Sequence, residues 1–450
     1  GNTSGQPGVC PSCSVMNVRV GDSFVVDANN WAAGIVYSVD NGAEVLLSAV
    51  GSINNTSFSQ AAIEYAYDRG IFNIMSAADE TAQHQNYPGA VAHAEYVHAI
   101  RYDKEDINQA TTWVNFSNCT NFGARLTLSA SSTSCSSGAT GMTSGTAGLA
   151  ASALKDTDLG PLSGSEIHQL FIHSVDDVNI ASSQTTHAEY NDKLYPSQEG
   201  WDAYFGYGRL SAKKMVDNVL DANIPPEADI LSPRWWHMID PTQGNVEITG
   251  EARTNRSDGE GTWILEYALG MAPKDGRPVD TTVWKEIATG STPAAGVLGS
   301  FDPTSIENFD PEARVEAYSS FGEEGVADTN VTKADKINRY TITLRLRVSD
   351  ASGTLEGEDK RAMYVHHDPT WKEGFPIFLG ASGESSPKMV DLNGDGKMEI
   401  VFGDANGRVH AFTDSGEELS GWPVDTNPGK VVPYTGSYAF THGPDGNENS

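Results

Sequence analysis

Ser137-Gly138-Ala139-Thr140-Gly141-Met142-Thr143-Ser144-Gly145-Thr146-Ala147-Gly148-Leu149-Ala150-Ala151 is the stretch on which the fold of this chain turns. It is small, rich in glycine and hydroxyl groups, and runs into an Ala/Leu segment ending near Leu154. The composition predicts a tight loop, turned at Gly138 and Gly141, feeding the start of a buried helix over Thr143–Leu154. A threonine or serine there caps free N–H groups. Such a helix start also stabilises developing negative charge through its N–H groups and dipole.

Around this stretch, short apolar runs alternate with helical patterns. Val15–Val20, Glu44–Val50, Ile71–Ala77, Val91–Ile100 and Arg125–Ala130 read as strands. Asp27–Asn41, Ser57–Arg69 and Ser165–Ser174 read as helices. Strands alternating with helices predict a mostly parallel sheet covered on both faces, over residues 1–222.

The opening stretch resembles the nucleophile segment of the subtilisin-like serine peptidases (subtilases), whose pattern reads G-T-S-M-A-x-P-H-V-A-G. Laid on without gaps, Gly138-Ala139-Thr140 matches G-T-S and Ala147-Gly148 matches the closing A-G. Further segments are similar in family order. Glu44-Val-Leu-Leu-Ser-Ala-Val-Gly51 resembles the strand lining the substrate cleft, and Ala61–Gly70 the helix that follows it. Asn73-Ile-Met-Ser-Ala-Ala-Asp-Glu80 resembles the strand ending A-A-G-N, and Gly200–Ala212 the G-Y-G-R-V-N-A segment.

The resemblance implies an α/β subtilisin-like domain, with Ala49, Val50 and Gly51 in the substrate cleft. It also implies lost chemistry. The family uses an Asp–His–Ser triad and an Asn that donates to the oxyanion. Here Thr140 stands in the nucleophile position and Asp79 in the oxyanion position. An ionised carboxylate accepts hydrogen bonds but cannot donate them, and loss of one oxyanion donor costs about 3–4 kcal/mol. The extra methyl of Thr140 crowds attack, and Ser144, one turn later, is the alternative hydroxyl. Without catalysis, Thr140 reads as a helix cap and Asp79 as a loop or capping residue. The family's Asp and His come earlier in order, and no D-[ST]-G or H-G-T-H segment precedes Glu44. The resemblance puts them upstream of Gly1, on another fragment, or nowhere.

The chain has 450 residues, too many for one ordinary core. A net charge of −31 argues against nucleic acid or an anionic membrane as partner. No apolar run reaches the ~20 residues of a membrane span. Four cysteines, Cys10, Cys13, Cys119 and Cys135, fit two disulfides in an oxidising compartment. Cys119–Cys135 is the natural long-loop pair. Cys10-Pro-Ser-Cys13 reads as a tight bridge, half a metal site or a redox pair.

Pro225-Pro226 marks a linker. Residues 225–368 carry period-2 segments such as Thr262–Leu269 and Tyr340–Val348, the pattern of half-buried antiparallel strands. This predicts an all-β sandwich resembling immunoglobulin-like or fibronectin-III-like modules, with Gly290–Asp335 as an excursion between strands. Trp235-Trp236-His237 reads as a ligand platform or an interdomain packing patch.

Residues 371–450 open with a different signal. In Asp391-Leu-Asn-Gly-Asp-Gly-Lys-Met-Glu399, oxygen ligands alternate around a glycine turn, the arrangement of a compact Ca2+ loop. Asp391, Asn393, Asp395 and Glu399 supply side-chain oxygens and Lys397 a carbonyl. The segment resembles the FG-GAP/VCBS blade of integrin-like β-propellers, and Gly374-Phe375-Pro376 recurs as Gly421-Trp422-Pro423. One blade and the start of a second predict an incomplete β-propeller-type module.

Together these features predict a secreted or cell-surface bacterial protein with an inactive subtilase-like domain. That domain acts as a scaffold for protein partners or further copies of the chain. The alternatives are an active secreted endopeptidase and a calcium-dependent surface adhesin.

Overall fold

The computed structural model describes residues 8–21, 26–52, 54–83, 85–87, 89–102, 113–117, 119–179, 197–271, 283–306, 340–383 and 385–426. The first region is built on a seven-stranded sheet. Its strands are β1 (Val45–Ser48), β2 (Phe72–Ser76), β3 (Glu95–Arg101), β4 (Asn115–Phe116), β5 (Leu128–Ser131), β6 (Val175–Asp176) and β7 (Arg209–Leu210). They lie in the order β1-β2-β3-β5-β7-β6, with β4 paired to β3. The central pairs are parallel, with Leu46 opposite Asn73 and Val97 opposite Leu128.

Five helices cover this sheet: α1 (Ala28–Asp40), α2 (Ser57–Tyr67), α3 (Ser136–Leu154), α4 (Gly164–His173) and α5 (Ala212–Leu220). Because strand side chains alternate, one face presents Ile74, Val97, Ala99 and Leu128 to α3, α4 and α5. The other presents Leu46 and Met75 to Trp31, Ile35 and Ile63 of α1 and α2. Local signals start the helices. Asp27 accepts from the N–H groups of Asn29 and Asn30, Thr56 from Ser59, and Ser163 and Glu166 form a reciprocal capping box.

Two expectations for this region are corrected. Val15–Val20 forms no strand. The helix expected over Thr143–Leu154 begins at Ser136, so Gly138 and Gly141 lie inside it rather than in a loop.

Beyond Pro226 the strands are β8 (Glu227–Ser232), β9 (Met238–Ile239), β10 (Val246–Arg253), β11 (Thr262–Leu269), β12 (Lys285–Ser291), β13 (Ala294–Phe301), β14 (Thr341–Ser349) and β15 (Glu356–Val365). They form two sheets, β13-β10-β8 and β12-β11-β14-β15-β9. Ile230, Ile248 and Leu298 of the first and Leu265, Leu344 and Leu346 of the second share one core. β13 falls inside the stretch expected to be an irregular excursion; the rest of that stretch, from residue 307, lies outside the described residues. The tryptophan pair is interdomain packing: Trp236 lies against Ala77, Tyr96 and Leu126 of the first region.

A last antiparallel sheet contains β16 (Lys388–Val390), β17 (Glu399–Gly403), β18 (Arg408–Phe412) and β19 (Val424–Asp425). It reaches the first region at the start of α2. The Asn55 N–H donates to Ser382 Oγ at 2.7 Å and the Ser57 N–H to Asn406 Oδ1 at 2.8 Å. Residues 427–450, which complete the expected second repeat, lie outside the described residues.

Candidate active site

The start of α3 lies beside the C-terminal end of β2. Cys135 precedes the helix and offers it no side-chain cap. Asp79 supplies the cap from another segment: the Ser136 N–H donates to Asp79 Oδ1 at 2.9 Å, and the Ser136 hydroxyl donates to the same oxygen. Ser76 Oγ lies 2.7 Å from Ser136 Oγ. Ser136 is fully buried, whereas Asp79 is exposed. An anionic cap on the positive end of a helix is electrostatically favourable. Here it also occupies the N–H group that a developing oxyanion would need.

Thr140 is one turn further into the helix. It is buried, and its hydroxyl donates to the Ser136 carbonyl at 2.8 Å. Thr140, expected as a helix cap, is therefore inside the helix, which begins at Ser136. Ser144 is similarly internal, bonded to the Thr140 carbonyl at 2.9 Å. Of the two residues assigned from the sequence, the structure brings Asp79 to the helix start and leaves Thr140 behind. Ser136 was missed; the hydroxyl run Ser131-Ser132-Thr133-Ser134 leading to Cys135 was its only sequence signal.

Two disulfides fix the surroundings. Cys119–Cys135, with Cα atoms 5.3 Å apart, ties the residue before Ser136 to a neighbouring loop. Cys10–Cys13 closes a short loop lying on α3, where a Cβ on Gly148 would meet Cys13 Sγ at 2.7 Å.

The segment Ala49, Val50, Gly51 is half-buried, and two of its carbonyls are paired within the chain. Asn86 Nδ2 donates to the Val50 carbonyl at 3.2 Å and the Val26 N–H to the Gly51 carbonyl at 3.1 Å. The next N–H, on Ser52, donates to the Tyr87 carbonyl at 2.6 Å.

Histidines lie elsewhere. His98 is fully buried in β3, with Nε2 2.6 Å from Ser129 Oγ, and burial lowers its pKa to about 3, so it is neutral. Among the described residues no histidine hydrogen-bonds Ser136, Ser76 or Asp79; His84 lies outside them.

The Asp391–Glu399 turn is tightly wound. Asp391 accepts from the N–H groups of Gly394 (2.6 Å) and Gly396 (3.0 Å), and Asn393 from Asp395 (2.8 Å). Glu399 is buried and accepts from the Leu392 N–H at 2.7 Å. Gly394 and Gly396 have φ of 79° and 85°, the left-handed region this turn needs. Among the described residues no three His, Cys, Asp or Glu side chains converge as a ready-made metal cage.

The profile of the Subtilase family matches residues 1–208, the stretch holding β1–β6, α3 and the Ser136–Asp79 pair. Residues 1–208 form a subtilase domain. Over 111 residues the chain is 33% identical to thermitase of Thermoactinomyces vulgaris, covering 24% of this chain and 37% of thermitase. Over 103 residues it is 28% identical to fervidolysin of Fervidobacterium pennivorans, covering 21% of this chain and 15% of fervidolysin. The chain thus matches well under half of either relative. Among solved structures, a lanthipeptide protease has a TM-score of 0.36 at 16% identity, covering 46% of this chain and 72% of its own. Tripeptidyl peptidase 2 has a TM-score of 0.45 at 11% identity, covering 87% of this chain and 30% of its own. Likeness this distant adds nothing to the assignment. Within the subtilase domain, as in the other described residues, no helix is long and apolar enough to cross a membrane.

Proposed function

We propose that the subtilase domain is a non-cleaving scaffold in a secreted or cell-surface bacterial protein. One observation carries this reading: the Asp79 carboxylate accepts both the N–H and the hydroxyl of Ser136, filling the helix start with negative charge. An acyl-transfer site needs donors at that place, because charge develops on the substrate oxygen. The Val50 and Gly51 carbonyls and the Ser52 N–H are already paired within the chain, which leaves an extended peptide fewer backbone groups to bond there. Two disulfides fit an oxidising compartment. The net charge of −31 favours protein partners or other copies of the chain over nucleic acid.

The β regions complete the proposal. The two sheets sharing a core beyond Pro226 are read as an immunoglobulin-like sandwich, and β16–β19 as a propeller-type blade. The Asp391–Glu399 turn is proposed as a Ca2+ loop. Its donors are all hard oxygens, the set calcium prefers. The Lys397 ammonium points away to Asp414 at 3.2 Å, which leaves its carbonyl to the loop. Calcium there would cross-link the turn; Asp391, Asn393, Asp395 and Glu399 would hold it.

A second reading is a secreted endopeptidase with Ser136 as nucleophile, favoured by the position of that serine at the first turn of α3. Fluorophosphonate labelling of the natural full-length protein, read by intact mass beside a Ser136→Ala control, separates the two. No adduct is expected in folded protein. A stoichiometric adduct lost in the control would overturn the scaffold reading.

A further inference from the structure

At the end of the subtilase sheet opposite Ser136, α4 packs against β8. There His93, in the connection leading to β3, lies between two carboxylates from two parts of the chain. Its Nδ1 is 2.6 Å from Glu64 Oε2 of α2, and its Nε2 is 3.0 Å from Asp229 Oδ2 of β8. The ring stacks on Tyr67 at 3.8 Å, and the Tyr67 hydroxyl donates to Asp229 at 2.9 Å. The backbone of His93 is held at φ 62°, strained for a non-glycine residue, and Asn73 Nδ2 donates to its carbonyl at 3.2 Å. Several contacts thus fix one ring in one place.

We infer that this joint between the subtilase domain and the region beyond Pro226 is a proton-held latch, closed by His93 as an imidazolium and released when its proton is lost. A neutral imidazole has one N–H, and ionised carboxylates only accept. Two carboxylates on two ring nitrogens are satisfied together only by the doubly protonated ring. Burial works against that charge, but Asp229 and Glu64 outweigh it and raise the His93 pKa to about 10.

The surrounding charges define what happens on release. From β15, Asp359 accepts the Ile230 N–H at 2.7 Å and pairs with Arg361, whose field also reaches Asp229. On the subtilase side, His168 of α4 pairs with Glu95 at 3.1 Å, and Arg125 donates to the carbonyls of Val91 and Ala94. None of these contacts replaces the charge of the imidazolium, although Asp229 keeps the Tyr67 hydroxyl as a donor. Loss of the proton leaves two carboxylates facing one N–H, with Asp229 buried. A cavity of about 60 Å³ beside His93 and Asp229 has room for the water that would enter.

Ring NMR of histidine-labelled full chain decides the matter. The His93 signals are expected to be those of an imidazolium at pH 8, with a midpoint near 10. Glu64→Gln, at a half-exposed position, should keep the fold and move the midpoint down by about 1–3 pH units. Small-angle scattering should show the chain extending reversibly through the same midpoint, with helix and sheet content held by circular dichroism. A neutral His93 tautomer at pH 8 overturns the latch, as does a midpoint unmoved in Glu64→Gln. Deprotonation without extension also overturns it.

Discussion

Replacing Asp79 by alanine separates the two roles assigned to this carboxylate, helix cap and occupant of the oxyanion position. Among the described residues it provides the only side-chain cap on the N-terminus of a helix running from Ser136 to Leu154. Loss of such a cap costs about 1 kcal/mol, and the loss of a carboxylate at a helix N-terminus adds about 0.3–1 kcal/mol. Asp79 is exposed, so water replaces part of its bond to Ser136 and screens its charge. The expected total is about 1 kcal/mol, and the Ser136 hydroxyl keeps Ser76 as partner. Denaturant unfolding of Asp79→Ala beside the wild type reads this number. Fluorophosphonate labelling of the same variant should stay negative, because Ser136 remains buried and no histidine among the described residues reaches it. A variant as stable as the wild type would refute the capping argument. An adduct on Ser136 in Asp79→Ala would show that the carboxylate alone had silenced a working nucleophile.

Three further outcomes are expected. Reducing or replacing Cys119–Cys135, whose partners are 16 residues apart, should cost about 3 kcal/mol in chemical unfolding. His98 is held neutral, its folded pKa lowered to about 3 by burial. Its unfolded value is about 6.5, so the unfolded state binds the extra proton between those limits. Stability should therefore fall as pH drops below about 6.5, by up to about 1.4 kcal/mol per pH unit from this group. His98→Leu should flatten that slope in urea titrations from pH 7 to 4. Calcium at about 100 times its dissociation constant should raise the stability of the β16–β19 region by about 2.7 kcal/mol, lost with chelator and in Asp391→Ala; scanning calorimetry checks it.

The sheet was legible because its central strands are short, largely apolar segments set between helical patterns. Phe72–Ser76 is buried at every position, as expected of a parallel strand covered on both faces. The helix that decided the fold was legible only in its second half. Gly138 and Gly141 read as turn formers but lie inside the helix, while Gly145 and Gly148 serve close approach: an added Cβ would meet Val9 at 2.6 Å and Cys13 Sγ at 2.7 Å. Its hydroxyls read as caps or nucleophiles, but Thr140, Thr143, Ser144 and Thr146 each donate to the carbonyl one turn back. Such a helix carries no apolar stripe from which its start could be read. The His93 latch was beyond reach of any local pattern, because His93 and Asp229 are 136 residues apart.

The placement of charge along the sheet gives the scaffold reading its physical sense. In open α/β sheets, ligands bind outside the carboxyl ends of the strands, and the carboxyl end of β2 is where Ser76, Asp79 and Ser136 close on one another. The opposite end, where β2 and β3 begin, holds buried ionic contacts to the rest of the chain through His93, Tyr67 and Asp229. Gln169 of α4 adds two backbone bonds to Glu358 of β15, at 3.0 and 2.8 Å. Arg256, just past β10, grips Glu166 and the carbonyls of Leu159 and Pro161. Buried contacts of this kind are costly to break one at a time, since each leaves a desolvated partner behind. A subtilase domain held this way at one end and capped by its own carboxylate at the other fits the proposed scaffold. Labelling at Ser136 tests the capped end, and the titration of His93 tests the held one.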